Sequence, residues 1–433
     1  MLNKRFRLVV MLTLTIALFA SYFAKVSAQS NVVELNFYYP TAVGGAISQL
    51  FDKYAAEFTA ANPDIKINST YVGGYDDIYK AVQTQISGGG AGPDVAIFLA
   101  ADLYSLIDND YIVPMTDFIK NTPDGDKYVD DFYPAFLANA TDAGVLWAMP
   151  FQRSTPVLYY NKDMFKEAGL DPDKAPETWQ DMLDYAKKLT KADGSRWGLM
   201  IPSDGFPYWL FQGFAISNGQ NLVGDEANKV YFNTPSTVEA LQFFVDLANK
   251  DGVMPKGIIK WGDTPTAFNA GQVAMIYHTT GSLTNILANA KFDVGVGFLP
   301  KGKAGYGAPT GGGNLYILKN SSPEKQAAAW KWIQFLTSPE KQADWTVNTG
   351  YIAARKSAWE VEALKNLVAE KPQYAVARDQ LEFAGKELST HSGLEVRQTF
   401  GKAVAAALTE EKTVQQALDD AQSDAEKLLA DFQ

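Results

Sequence analysis

Val95-Ala96-Ile97-Phe98-Leu99 is an unbroken apolar run placed two residues after Pro93. Continuous apolarity over so short a length suits a strand covered on both faces, as inside a parallel sheet. Gly88-Gly89-Gly90-Ala91-Gly92-Pro93 breaks the chain just before it. Upstream of that break, Ile78, Ala81, Val82 and Ile86 recur on one side of a helix, with Asp76 and Asp77 as cap residues. Ile65-Lys66-Ile67 and Thr70-Tyr71-Val72 read as the strand before that helix. Further upstream, Ile47, Leu50, Phe51, Tyr54 and Phe58 make one apolar helix face that stops at Asn62-Pro63. Val32 to Tyr39 is a β-rich opening that ends at Pro40. Strand, helix, strand, helix, strand within about 70 residues is an α/β unit.

The pattern continues downstream. Val157-Leu158-Tyr159-Tyr160 is strand-like, and Thr178 caps a helix through Met182, Tyr185, Ala186 and Leu189. Long helical stretches follow around 236–249 and 323–337, and Val414 to Phe432 carries a clean apolar face. No Pro/Ser-rich linker separates two halves, so the chain is expected to cross between lobes more than once.

The chain has 433 residues, enough for two domains at roughly 100–200 residues each. It is 47% hydrophobic with 9 Trp, 21 Tyr and 25 Phe, which excludes disorder as its main state. It has no cysteine, which excludes disulfides, thiolate metal sites, thiol catalysis and a lipid-bearing cysteine. Its 2 histidines, His278 and His391, lie far apart, so an imidazole-based metal site is not expected. Lys4, Arg5 and Arg7, the apolar run Leu8 to Phe23 and Val26-Ser27-Ala28 have the layout of a secretory signal peptide, with cleavage before Gln29. A membrane anchor is the competing reading, but the run falls short of the roughly 20 residues a span needs. The formal charge is −11 with 38 Lys and Arg against 49 Asp and Glu. Removing residues 1–28 removes Lys4, Arg5, Arg7 and Lys25 and no acid, leaving −15. Such an acidic chain is a poor partner for nucleic acid, whose phosphates need clustered Lys and Arg.

Catalytic signatures are missing: no nucleophile elbow, no H-E-x-x-H, no phosphate loop and no calcium loop. His278 follows a strand pattern and reads as a hydrogen-bonded structural residue. Tyr38, Tyr39, Tyr71, Tyr75, Trp209, Tyr277 and Tyr351 fall at strand ends or in loops, where they serve either as core or as stacking walls of a ligand cleft. Thr310-Gly311-Gly312-Gly313-Asn314 is either a flexible turn or a backbone cradle for an anion.

These segments together resemble the periplasmic solute-binding proteins of ABC importers, in the extracellular sugar-binding family. The stretches that carry the likeness are Phe58 to Ile65, Gly92-Pro93-Asp94-Val95, Tyr159 to Phe165, Thr178 to Met182, Phe268 to Met275 and Thr349-Gly350-Tyr351. Met149 to Tyr160, the glycines at 311–313 and Val396-Arg397 are similar to the members that take up glycerol-3-phosphate. The resemblance implies an α/β, two-lobed periplasmic-binding-protein fold of type II with a ligand cleft and a multi-strand hinge. It implies ligand-binding roles for Tyr75, Ser154, Trp209, Thr280, Gly312, Tyr351 and Arg397, no cofactor, no metal and no catalysis. Arg397 offers a planar fork suited to phosphate oxygens, and its other reading is an interlobe ion pair. The implied partners are a small phosphorylated glycerol compound or a sugar, and a membrane permease. The implied state is a periplasmic monomer without a lipid anchor.

The chain departs from the pattern at Ala100, where the family has a glutamate for the glycerol hydroxyls. A missing acceptor leaves hydroxyls unpaired, at about 1–3 kcal/mol, unless Asp102 reaches in. The expectation is a wider, less polar subsite favouring a phosphodiester such as glycerophosphocholine, or a sugar with a different hydroxyl pattern. Lobe 1 is expected at 29–150 and 305–348, lobe 2 at 151–304 and 349–433.

Overall fold

The computed structural model describes residues 32–432. The signal-peptide reading lies outside the described residues. Two sheets organise the molecule. The first contains β1 (Val33–Tyr39), β2 (Ile65–Tyr71), β3 (Val95–Leu99), β4 (Met149–Ser154) and β10 (Gly311–Ile317), in the spatial order β2-β1-β3-β10-β4. β1 is parallel to β2 and β3, whereas β10 runs antiparallel to both β3 and β4. The second sheet contains β5 (Pro156–Asn161), β6 (Trp197–Met200), β7 (Val273–Thr279) and β8 (Val294–Gly297), in the order β8-β5-β7-β6. A short parallel pair joins β9 (Ala308–Pro309) to β11 (Ala384–Gly385).

The deciding run behaves as its composition demands: all five residues of β3 are buried. Helix α1 (Ile47–Ala61) buries Ile47, Leu50, Phe51, Tyr54 and Phe58, the face read from their spacing. That face meets an aromatic core, with Phe37 5.2 Å from Phe51, Phe51 5.1 Å from Trp345 and Phe58 5.1 Å from Trp332, ring centre to ring centre. Edge and tilted contacts of this kind add about 0.5–1.5 kcal/mol each beyond burial. Helix α2 (Tyr75–Ser87) is capped two to three residues earlier than the expected Asp76-Asp77 caps. Gly74 takes the N-cap place, and Asp77 reaches back to accept from its backbone N–H at 2.8 Å.

The chain leaves the first sheet at Ser154 and enters the second at Pro156, with Thr155 alone between them. The boundary expected at 150/151 therefore falls inside β4, because that strand continues to pair with β10 through Ser154. The chain returns through residues 298–310 into β10. Within residues 349–355, the Ile352 N–H bonds the Arg153 carbonyl at 2.8 Å and Arg355 bridges Phe132, whereas Gly350 lies against Thr280 and Leu283. Helix α3 (Pro207–Ser217), α4 (Pro235–Asn249), α5 (Gly393–Leu408) and α6 (Val414–Leu429) pack together. No helix among the described residues is long and apolar enough to cross a membrane.

Candidate functional site

Leu99, Ser154 and Thr279 are the last residues of β3, β4 and β7, and Gly312 is the second of β10. All four line one small cavity between the sheets. Strand ends from two sheets thus converge where open α/β folds place ligands. Its volume is about 30 Å³, room for about one water molecule. It adjoins an outer cavity of about 530 Å³, with Tyr75, Leu99 and Phe206 common to both walls.

Five of the seven expected residues line the inner cavity: Tyr75, Ser154, Trp209, Gly312 and Tyr351. One side-chain amide places two of them. Gln152 Nε2 donates to the Tyr75 hydroxyl at 3.0 Å and to the Tyr351 hydroxyl at 3.1 Å. Both phenols accept from the same group, and they also interact with each other. Burial pushes Tyr351 up to about 12 and Tyr75 upward as well, so both stay protonated near neutrality. Trp209 is fixed by its indole N–H on the Thr310 carbonyl at 2.8 Å. Its ring lies over Gly311, where a Cβ would stand 2.4 Å from the indole nitrogen. Gly312 has φ +87°, and a Cβ there would stand 2.0 Å from the Gln152 carbonyl oxygen. Of the other aromatics weighed, Tyr71 is exposed and Tyr277 is buried in the core.

Thr280 does not line this cavity. Its hydroxyl accepts from the Thr155 N–H at 3.4 Å, which turns it toward the interlobe joint, and Thr279 takes the wall position instead. Arg397, the fifth residue of α5, lines the outer cavity. It is 5% exposed, donates to the Ala101 carbonyl at 3.1 Å and forms an ion pair with Asp102 of the first lobe. The ion-pair reading of Arg397 is realised in this structure, and Asp102 faces that guanidinium.

Phe206, Trp261 and Glu387 also line the inner cavity and were not singled out from sequence. Trp261 bridges the lobes through its indole N–H on the Ala42 carbonyl at 3.0 Å. His278 stands 4.2 Å behind the Trp261 ring, with Nδ1 3.1 Å from the Ser282 hydroxyl and Nε2 3.2 Å from the Trp261 carbonyl. Burial holds His278 down to about 4, so it is a neutral, structurally satisfied histidine at physiological pH.

Glu387 adds an acidic residue to a lining that is otherwise largely apolar. It lines the inner cavity at 1% exposure, whereas Ala100 supplies no acid there. Tyr208 donates to Oε1 at 2.9 Å, and the Glu387 N–H donates to Asn139 Oδ1 at 2.9 Å. Oε2 has no protein partner among the described residues. Burial pushes Glu387 up to about 7, opposed by the charge of Arg153, the Tyr208 hydrogen bond and Arg397. No motif announces Glu387, because its burial depends on Tyr208 and Asn139, both remote in sequence.

A raised carboxylate has a defined effect on stability. Glu387 costs nothing below its ordinary value of 4.5, then destabilises increasingly as pH rises to about 7, by about 3 kcal/mol in all. His278 acts oppositely, losing stability as pH falls from 6.5 toward about 4. The melting temperature of Glu387→Gln minus that of wild type is therefore expected to rise between pH 4.5 and 7, His278 being common to both. A flat difference curve overturns this assignment.

A family model described as "Bacterial extracellular solute-binding protein" matches residues 53–375. The sn-glycerol-3-phosphate-binding periplasmic protein UgpB of Escherichia coli (strain K12) is 32% identical over 408 residues, covering 90% of this chain and 91% of that protein. Among solved structures, UgpB from Mycobacterium tuberculosis in complex with glycerophosphocholine superposes with a TM-score of 0.81 at 24% identity, covering 92% of this chain and 99% of the other. Maltose-bound T. maritima MalE3 superposes with a TM-score of 0.80 at 26% identity, covering 92% and 100%. With a cleft between two α/β lobes and relatives of this extent, the chain belongs to the bacterial extracellular solute-binding proteins, the substrate-binding components of ABC importers rather than enzymes.

Proposed function

We propose that this chain captures glycerol-3-phosphate or a glycerophosphodiester such as glycerophosphocholine in the periplasm, as a monomer, and delivers it to a membrane permease. The observation that carries the reading is the convergence of Tyr75, Ser154, Gly312 and Tyr351 on one enclosed cavity, with Arg397 lining the adjoining one. Two phenol O–H groups and a glycine backbone suit phosphate oxygens, and Arg397 supplies the charge. The likeness to the Escherichia coli glycerol-3-phosphate-binding protein supports the same ligand class.

The mechanism is closure. In this structure the lobes are already drawn together by the Trp261–Ala42 hydrogen bond and the Arg397–Asp102 ion pair. An inner space of about 30 Å³ admits nothing of the ligand's size, so entry requires the lobes to part. A ligand that touches both lobes then favours the closed form by its differential affinity alone. Ser154, Gly312 and Tyr351 would hold it from the first lobe's side, Trp209, Trp261 and Thr279 from the second.

A sugar is the second reading, favoured by the paired indoles of Trp209 and Trp261, 6.3 Å apart, which would stack on a pyranose face. A thermal-shift panel separates the two. Glycerol-3-phosphate or glycerophosphocholine at 100 times its dissociation constant is expected to stabilise the protein by about 2.7 kcal/mol, with maltose, trehalose and monosaccharides inert. A shift with the neutral sugars alone overturns the phosphate reading.

A further inference from the structure

We propose that Glu387 is the specificity-determining acceptor of this cleft, taking the hydroxyl groups of the ligand's polyol end on its free carboxylate oxygen. The inference rests on the phosphorylated-glycerol reading above and goes past it by assigning a residue to the other end of the ligand.

The first ground is an unpaired oxygen in a built site. Glu387 is 1% exposed, lines the inner cavity, and has Oε1 engaged by Tyr208 while Oε2 has no partner among the described residues. A buried acceptor left empty is costly, and a guest that donates to it removes that cost. The second ground is the surroundings. Phe206 stands 5.1 Å from Trp261, and Trp209 lies 6.3 Å from the same ring. These faces suit the C–H surface of a polyol whose hydroxyls point at an acceptor at one edge.

The third ground separates a hydroxyl from a cation as the guest. Arg153 is fully buried and donates to the Gly312 carbonyl at 3.3 Å, and its charge acts on Glu387. Arg397 acts on it from the outer side. A carboxylate already offset in part by the Arg153 guanidinium, with Arg397 itself paired to Asp102, has less field left for an ammonium but keeps its lone pairs for O–H donors. The same offset lets it stand near a phosphate without expelling it. Glu387 thus supplies, held between Asn139 and Tyr208, the acceptor that is absent at Ala100.

Two titrations test this on the full-length mature chain. With wild-type protein, glycerol-3-phosphate is compared with propyl phosphate, which keeps the phosphate and lacks both hydroxyls. Binding of propyl phosphate is expected to be about ten- to a hundredfold weaker. Glu387→Gln, which keeps the shape and removes the charge, is expected to weaken glycerol-3-phosphate about tenfold or more and leave propyl phosphate within about twofold. Equal loss of both ligands in the variant, or equal affinity of both for wild type, overturns the assignment. The wild-type comparison stands even where the variant fails to fold. If wild-type protein binds neither phosphate, the phosphorylated-glycerol reading itself fails, and the assignment of Glu387 falls with it.

Discussion

Arg397→Ala is expected to destabilise the protein by about 3–5 kcal/mol and to abolish phosphate binding. Both effects come from one geometry. Arg397 is the ion-pair partner of Asp102, and both side chains are almost fully buried. Burial raises the Asp102 carboxyl, and the Arg397 charge and hydrogen bond oppose that rise. Removing the arginine leaves an uncompensated carboxylate between the lobes, which is far costlier than never having had the pair. The double variant Asp102→Leu with Arg397→Met separates the roles. It is expected to recover most of the lost stability, since an apolar pair of similar volume replaces a buried ion pair at little cost. It is expected not to recover binding, because the phosphate has lost its charged partner. Thermal melts and calorimetric titration of the three proteins check both statements. Recovery of phosphate binding in the double variant would overturn a ligand role for Arg397 and leave it as a lobe-joining residue.

Gly312→Val carries the second large effect. The backbone at Gly312 is left-handed at φ +87°, where a side chain costs about 1–2 kcal/mol before any contact is considered. The added Cβ would also meet the Gln152 carbonyl oxygen at 2.0 Å, and that oxygen belongs to β4 and cannot swing aside. The strand pair β10–β4 must therefore shift. Gln152 carries Tyr75 and Tyr351 on its amide, so the shift reaches both phenols. The expected outcome is a loss of several kcal/mol of stability and at least a hundredfold loss of affinity. A variant that melts within about 1 kcal/mol of wild type and still binds would show that β10 tolerates a side chain there.

The elements that could be read from sequence are those whose signal is local. The apolar run of β3 and the one-sided spacing of α1 need no knowledge of distant partners, and both fold as their composition demands. Tyr75, Ser154, Trp209, Gly312 and Tyr351 were accessible because the family likeness passes through their segments, and the structure brings them to one cavity. Glu387 had no such route. It lies just past a two-residue strand, and its burial is made by Tyr208, 179 positions away. Trp261 was equally silent, since an indole in a loop reveals its role only when Ala42 of the other lobe is opposite it. Thr280 shows the resolution limit of a residue-by-residue likeness. At a strand end one step along the chain reverses the direction of a side chain, so Thr279 faces the cleft and Thr280 the joint.

The placement of β10 between β3 and β4 also governs how the molecule can be assembled. β3 and β4 do not touch each other; Leu99 pairs with Gly313 and Ser154 with Gly311. A chain emerging from its N-terminus has made four of the five strands of this sheet by residue 154, yet the gap at its centre stays open until residue 317 has appeared. The whole second sheet is produced in that interval. The second lobe's sheet can consequently form first, from one continuous stretch, while the first waits with an unpaired edge on either side of its gap. Pairings of such long sequence separation are slow to find, and an open edge is what holdase chaperones bind and what aggregates when they do not. Closing the first sheet is thus the late step of assembly, and residues 311–317 are the segment that completes it.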